Sequence, residues 1–207
     1  MKKYELTAEF IEKWGKKLFR IKALISFGSV EAGELGGYVE KEDNLAQNGN
    51  AWVYGNARVY GNAEVYGNAE VYGNAEVCGD ARVYGNAEVC GDARVYGNAR
   101  VYGNARVYGN AEVCGDAEVC GDADYLLIGR IGSRFSFTTF FKNKDKGITV
   151  SCGCFLGTIA EFRAKVTDTH GNNKHAKIYN LAADMAELQI LGEEYFDKLN
   201  TNKSEPF

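Results

Sequence analysis

From Gly49 to Ala123 the chain repeats one hexad without insertion, Gly-Asn/Asp-Ala-x-Val-Tyr/Cys. Valine recurs from Val53 to Val119 in steps of six, and an alanine stands two residues before each one. An Ala-x-Val triplet is a very short strand whose alternation turns both apolar side chains to one side. Gly-Asn or Gly-Asp then supplies the turn, because glycine and asparagine tolerate positive φ. Strand and turn alternating every six residues describe a β-solenoid, and a repeat of this kind dictates the architecture before any other feature. A single proline, Pro206, among 25 glycines excludes a collagen-like chain.

With three hexads to a coil, residues eighteen apart stack about 4.8 Å from one another. The position between alanine and valine points outward. Its columns read Arg58, Glu76, Arg94, Glu112; then Glu64, Arg82, Arg100, Glu118; then Trp52, Glu70, Glu88, Arg106. Opposite charges on adjacent coils favour this register, although each exposed pair contributes little. The position after valine gives three more columns: Tyr54, Tyr72, Cys90, Tyr108; Tyr60, Cys78, Tyr96, Cys114; and Tyr66, Tyr84, Tyr102, Cys120. Every cysteine hexad continues Cys-Gly-Asp and every tyrosine hexad Tyr-Gly-Asn.

The hexads resemble those of left-handed parallel β-helices, whose triangular coils use three hexads each. The fold expected is therefore mainly β: a left-handed solenoid of about four regular coils over 49–123. Members of that family usually place a small residue after the aliphatic one, where this chain has Tyr or Cys. Residues 1–48 read as an N-terminal cap and degenerate coils, with Lys17–Leu24 alternating like a strand. A terminal coil left bare would offer an open edge. Residues 124–207 read as an α+β domain. Strands are expected over 125–131, 135–141 and 148–155, and a Thr158–Glu161 capping box opens a helix that Gly171 ends. A second helix is expected over about 174–191.

Two flanking segments resemble a family of hexapeptide-repeat proteins found in bacteriophages, prophages and gut Firmicutes. They are Ala32-Gly33-Glu34-Leu35-Gly36-Gly37-Tyr38-Val39, and Ser151-Cys152-Gly153-Cys154-Phe155 with Thr169-His170-Gly171. The resemblance covers nearly the whole chain and carries architecture more than activity. It implies an accessory role against a host target.

Left-handed hexapeptide enzymes use a coil histidine as general base or three histidines on a metal. The hexads hold no histidine, lysine, serine or threonine, so neither mechanism has its groups there. Threonine arrays of the ice-binding kind are absent too. Outside the hexads, Cys152, Cys154, His170 and His175 make the one candidate zinc set, and Cys154 with His170 a conceivable nucleophile pair. Against zinc stands the C-x-C spacing, tighter than the usual C-x₂₋₄-C. The other reading is two small cysteines on a strand and two histidines at helix ends.

The outward tyrosines Tyr54, Tyr60, Tyr66, Tyr72, Tyr84, Tyr96, Tyr102 and Tyr108 are the main candidate surface. They serve either as a structural ladder and homotrimer contact, or as a flat aromatic face for a partner protein or a base. Five arginines against six glutamates and four aspartates give the hexads a net charge of −5, which argues against nucleic acid along the coils. No apolar run reaches a membrane span, and Met1–Leu6 lacks the apolar stretch of a signal peptide. A cytoplasmic location in a bacterial host is expected, with reduced thiols and no cofactor. Three functions follow as expectations. The first is a non-enzymatic phage-type protein that inhibits or sequesters a host defence protein or a small signalling nucleotide. The second is a self-assembling structural module, and the third a metal-dependent or acyltransferase-like enzyme acting from the C-terminal domain.

Overall fold

The computed structural model describes residues 1–192 and divides the chain into two compact units, Met1–Asp122 and a second beginning at Ala123. Three longer strands come first: β1 (Tyr4–Lys13), β2 (Lys16–Ala23) and β3 (Leu35–Val39). Twelve two-residue strands follow, β4–β15, from Trp52–Val53 to Glu118–Val119 in steps of six. They stack in parallel as three sheets, one for each side of the coil, with Trp52 beside Glu70, Arg58 beside Glu76 and Glu64 beside Arg82. Each strand thus pairs with the one eighteen residues on, and the fold is a β-solenoid. Every alanine and valine of the hexads from Ala51 to Val119 is at most 1 % exposed. The interior is a closed column of small and β-branched side chains.

Glycine at the turn answers two demands. Gly85 has φ +74°, and a Cβ there would lie 2.9 Å from the backbone nitrogen of Gly103 in the next coil. The corner therefore needs both a left-handed backbone and the absence of a side chain.

Hydrogen-bond polarity explains the cap. Each coil donates its N–H groups to carbonyls of the following coil, as in Arg58 N to Ala75 O at 2.9 Å and Tyr60 N to Val77 O at 3.0 Å. The N-terminal end of such a stack presents carbonyls, which require donors. The Asn44 amide donates to Gly61 O (3.1 Å) and Ala63 O (2.8 Å). Lys3, 2 % exposed, donates to Ala51 O at 2.9 Å and lies over the Phe27 ring. At the opposite end Arg106 presents an N–H, and the Asp122 carboxylate accepts it at 2.9 Å.

The predicted degenerate coil is present and runs long. Val39 pairs with Val59, and Leu45 bridges Val65, an offset of twenty residues instead of eighteen. With this coil the solenoid has about five turns over 38–119, four of them regular. The hairpin β1–β2 extends one solenoid sheet through antiparallel pairing of β2 with β3. Lys13, at the end of β1, forms an ion pair with Glu76, and Leu18 packs with Tyr38 and Tyr60.

In the second unit four antiparallel strands lie in sequence order: β16 (Tyr125–Ile131), β17 (Ser136–Lys142), β18 (Ile148–Cys152) and β19 (Phe155–Thr158). The strand expected over 148–155 is two strands, because Gly153 turns the chain at φ +61° and Cys152 pairs back onto Phe155. Helices α1 (Ile159–His170) and α2 (Lys174–Leu191) match their predicted extents. Thr158 and Glu161 form the reciprocal capping box, and Gly171 stands at the C-cap. Phe140, Val150, Phe162, Tyr179 and Ala183 form the core between sheet and helices. Arg163 of α1 reaches Asp184 and Glu187 of α2, both at 2.7 Å. Of the predicted C-terminal domain, residues 193–207 lie outside the described residues.

Candidate functional site

The coil spacing places each outward tyrosine against the coil that follows it. Tyr66, Tyr84 and Tyr102 stack as a continuous column, with ring centroids 4.9 and 5.1 Å apart and planes within 5° of parallel. Elsewhere the tyrosines do not extend one aromatic surface. The Tyr54 hydroxyl leans on Glu70 (3.4 Å), that of Tyr60 on Glu76 (3.3 Å) and that of Tyr72 on Glu88 (2.8 Å). Tyr60 is only 9 % exposed, covered by Leu18 and Tyr38, whereas Tyr108 is 56 % exposed. Tyr54, Tyr72 and Tyr96 are half-buried. The eight tyrosines therefore do not make the single flat face expected. They fall in three columns on three sides of the coil, and cysteines interrupt two of these.

The interruptions have a chemical pattern. Cys78, Cys90 and Cys114 each stand eighteen residues after a tyrosine, Tyr60, Tyr72 and Tyr96 respectively. Two residues further on, the aspartate accepts from the asparagine of the preceding coil. Asn62 donates to Asp80 (3.0 Å), Asn74 to Asp92 (3.0 Å) and Asn98 to Asp116 (3.1 Å). The aspartate of a Cys-Gly-Asp hexad is thus an acceptor beneath the asparagine amide of the preceding coil. All-asparagine columns do the same amide to amide, as Asn50 to Asn68 (3.2 Å) and Asn68 to Asn86 (3.1 Å). Burial and then the Cys78 contact push the Tyr60 hydroxyl up to about 12. The neighbouring Cys90, with burial and Glu88, raises Tyr72, and burial followed by Cys114 raises Tyr96.

The charge columns close as ion pairs: Arg58–Glu76, Arg94–Glu112 and Arg106–Glu88 at 3.2 Å, Arg100–Glu118 at 3.3 Å and Arg82–Glu64 at 3.5 Å. Glu76 is the most covered, because Lys13, Arg58 and the Tyr60 hydroxyl all converge on it.

The second unit holds a cavity of about 220 Å³. Cys152, Cys154 and His170, three of the four candidate metal ligands, line it together with Arg134, Lys165 and Tyr179. His175 does not line it. Its ring stands 5.8 Å from that of His170, and its Nδ1 is buried without a hydrogen-bond partner. Among the described residues no three His, Cys, Asp or Glu side chains come close enough to hold a metal ion. The expected zinc set is therefore not assembled. The Cys152 sulfur instead accepts from Thr138 Oγ1 at 3.2 Å, and the exposed Cys154 sits on the turn beside Gly153. Burial, then Cys152, raises the Tyr179 hydroxyl above its ordinary value. His170 stacks on Tyr179 at 5.7 Å. A Cβ on Gly132 would overlap the Tyr179 ring, so this strand end must be glycine for the tyrosine to reach the cavity. Arg134, Lys165 and Tyr179 carried no signal in the sequence, because no motif joins a hairpin, a strand end and two helices.

Residues 51–67, 87–103, 93–109 and 99–115 match the YdcK β-solenoid repeat. The matched windows lie wholly within the hexads, so they identify the scaffold, and the flanking elements carry no such match. No curated protein matches the chain. Among the described residues, no helix is long and apolar enough to cross a membrane.

Proposed function

We propose that the protein is a non-enzymatic binding protein whose YdcK-type solenoid presents a rigid contact surface to a partner protein. The stacked column Tyr66–Tyr84–Tyr102 carries this reading. It is a planar aromatic stripe on a scaffold whose neighbouring charges are already paired, Arg82 with Glu64 and Arg100 with Glu118. Rigid aromatics contribute binding surface at small entropic cost and dominate the energetics of many interfaces. The hexads lack the histidine that hexapeptide acyltransferases use as general base and the three histidines that hold a metal in related enzymes. The resemblance to phage-borne hexapeptide proteins supplies the partner class, a host protein that binding inhibits or sequesters.

A photo-crosslinking residue at position 84 tests this in host extract. One dominant protein adduct is expected, together with at least tenfold weaker binding of that protein by Tyr84→Ser and unchanged binding by Tyr72→Phe. No adduct, or an adduct whose binding ignores Tyr84→Ser, overturns the reading. A retained nucleotide in native mass spectrometry would redirect it to a small ligand.

Self-association is a second reading, favoured by α2. Ile178, Leu181, Met185 and Leu188 are 39–63 % exposed and follow one another at intervals of three, four and three residues. That spacing is the seam of a coiled coil. Sedimentation of the full chain tests it, with Leu181→Glu expected to shift any oligomer to monomer.

A further inference from the structure

We infer that the cavity of the second unit is a binding site for a small organic oxyanion, a carboxylate or phosphate group attached to an apolar body. The argument rests on the sign and arrangement of its lining. Two cations, Arg134 and Lys165, reach the cavity, and among the described residues no carboxylate lines it. Arg134 has no ion-pair or hydrogen-bond partner among the described residues, so its guanidinium fork is available. Lys165 is held only by Asp168 at 3.1 Å, an exposed pair three residues apart, which costs little to loosen. Guanidinium is the side chain best shaped to take a planar or tetrahedral oxyanion through paired N–H bonds.

The other walls fit an apolar body. Phe155, Phe162 and Val166 line the cavity, and Phe162 and Val166 belong to the buried core, so this surface is fixed in place. His170 and Tyr179 stack on each other at the wall, and the Cys152 sulfur accepts a hydrogen bond from the Thr138 hydroxyl. The Cys152 sulfur thus has its donor without a ligand, whereas the Arg134 guanidinium has no partner among the described residues. About 220 Å³ admits a single ring or short chain bearing its anionic group. This site is separate from the tyrosine column and does not depend on the function proposed above.

The test is a titration of the full ¹⁵N-labelled chain with benzoate, phenyl phosphate and the neutral benzyl alcohol. At least one anion is expected to bind about tenfold or more tightly than the alcohol, moving the amide resonances of Cys152, Phe155 and His170. Which anion binds more tightly separates a carboxylate ligand from a phosphate one. Arg134→Gln, at an exposed position, is expected to weaken that anion about tenfold with the spectrum otherwise retained. Bound anion should also slow alkylation of the exposed Cys154 relative to the exposed Cys120. Failure of both anions to bind, equal binding of benzyl alcohol, or full affinity in Arg134→Gln each overturns the inference.

Discussion

Arginine is used in two ways in this chain. In the solenoid Arg94 pairs with Glu112 across adjacent coils, both side chains a third or more exposed. In the second unit Arg163 pairs with Asp184 and with Glu187, whose side chain is only 7 % exposed. The solenoid meets its own repeat eighteen residues on, so its charges need only match neighbours at the surface. The second unit has no repeat to lean on, and its helices are joined by one polar brace set into the packing. One region distributes its specificity over many weak and equivalent contacts, and the other concentrates it in a few.

The largest expected effect comes from breaking that brace. Arg163→Met leaves the Glu187 carboxylate buried without a counter-charge, which should cost the second unit about 3 kcal/mol. Arg94→Met in the solenoid should cost less than about 1 kcal/mol. Both tryptophans, Trp14 and Trp52, lie in the first unit, so their fluorescence follows the solenoid, and amide exchange in α2 follows the other. Equal losses from the two substitutions would erase the distinction drawn here.

Glycine substitution sharpens it from the opposite side. Gly85→Ala meets both a left-handed backbone and the Gly103 backbone, for an expected loss of about 2–3 kcal/mol in the first unit. Gly171 has φ +55° with nothing within 4 Å of a Cβ, so Gly171→Ala should cost only about 1 kcal/mol. Denaturant midpoints of each unit decide between these values.

The repeat made most of the first unit legible. Period, register and charge columns could be written down because each hexad predicts its neighbours, and the ion pairs formed as those columns require. Less visible was what happens at its ends. The strand Tyr4–Lys13 lacks a clean alternation, and its covering of Tyr60 depends on pairing across more than forty residues. In the second unit the helices showed in capping residues and apolar spacing, while the turn at Gly153 hid inside an apparent single strand. The cavity was half legible. Cys152, Cys154 and His170 attracted notice as metal ligands, but the Thr138 hydroxyl that donates to the Cys152 sulfur and the Tyr179 ring that stacks on His170 come from elements the sequence does not connect.

Alkaline titration should affect the first unit in two opposing steps. Burial lowers the Lys3 ammonium to about 8, below its unfolded value of 10.5. The folded chain releases that proton first, so stability rises with pH between about 8 and 10.5. Tyr60 stands at about 12 against 10.0 when unfolded, and Tyr4, Tyr72 and Tyr96 shift upward too. Their stabilisation is complete below pH 10 and is lost as pH climbs towards the folded values, on the order of 1–2 kcal/mol for Tyr60. Tryptophan fluorescence in denaturant at pH 8, 10 and 11.5 should show the rise and then the fall. Lys3→Met should remove the rise, and Tyr60→Phe should soften the fall.

The smallest effect tests the donor–acceptor ladder itself. Asp80 accepts from Asn62 at 3.0 Å in an exposed column, and a carboxylate has no N–H to pass on to Asn98. Asp80→Asn keeps the acceptor oxygen and adds a donor, so it should be neutral or stabilising by a few tenths of a kcal/mol. Asp80→Ala removes the acceptor and should cost about 0.5 kcal/mol. The same pair of substitutions at Asp145, which lies in a turn of the second unit and stacks on no coil, should show no such ordering. If Asp80→Asn proves the more damaging at position 80, the aspartates of the Cys-Gly-Asp hexads are retained for their charge, and the ladder is incidental to them.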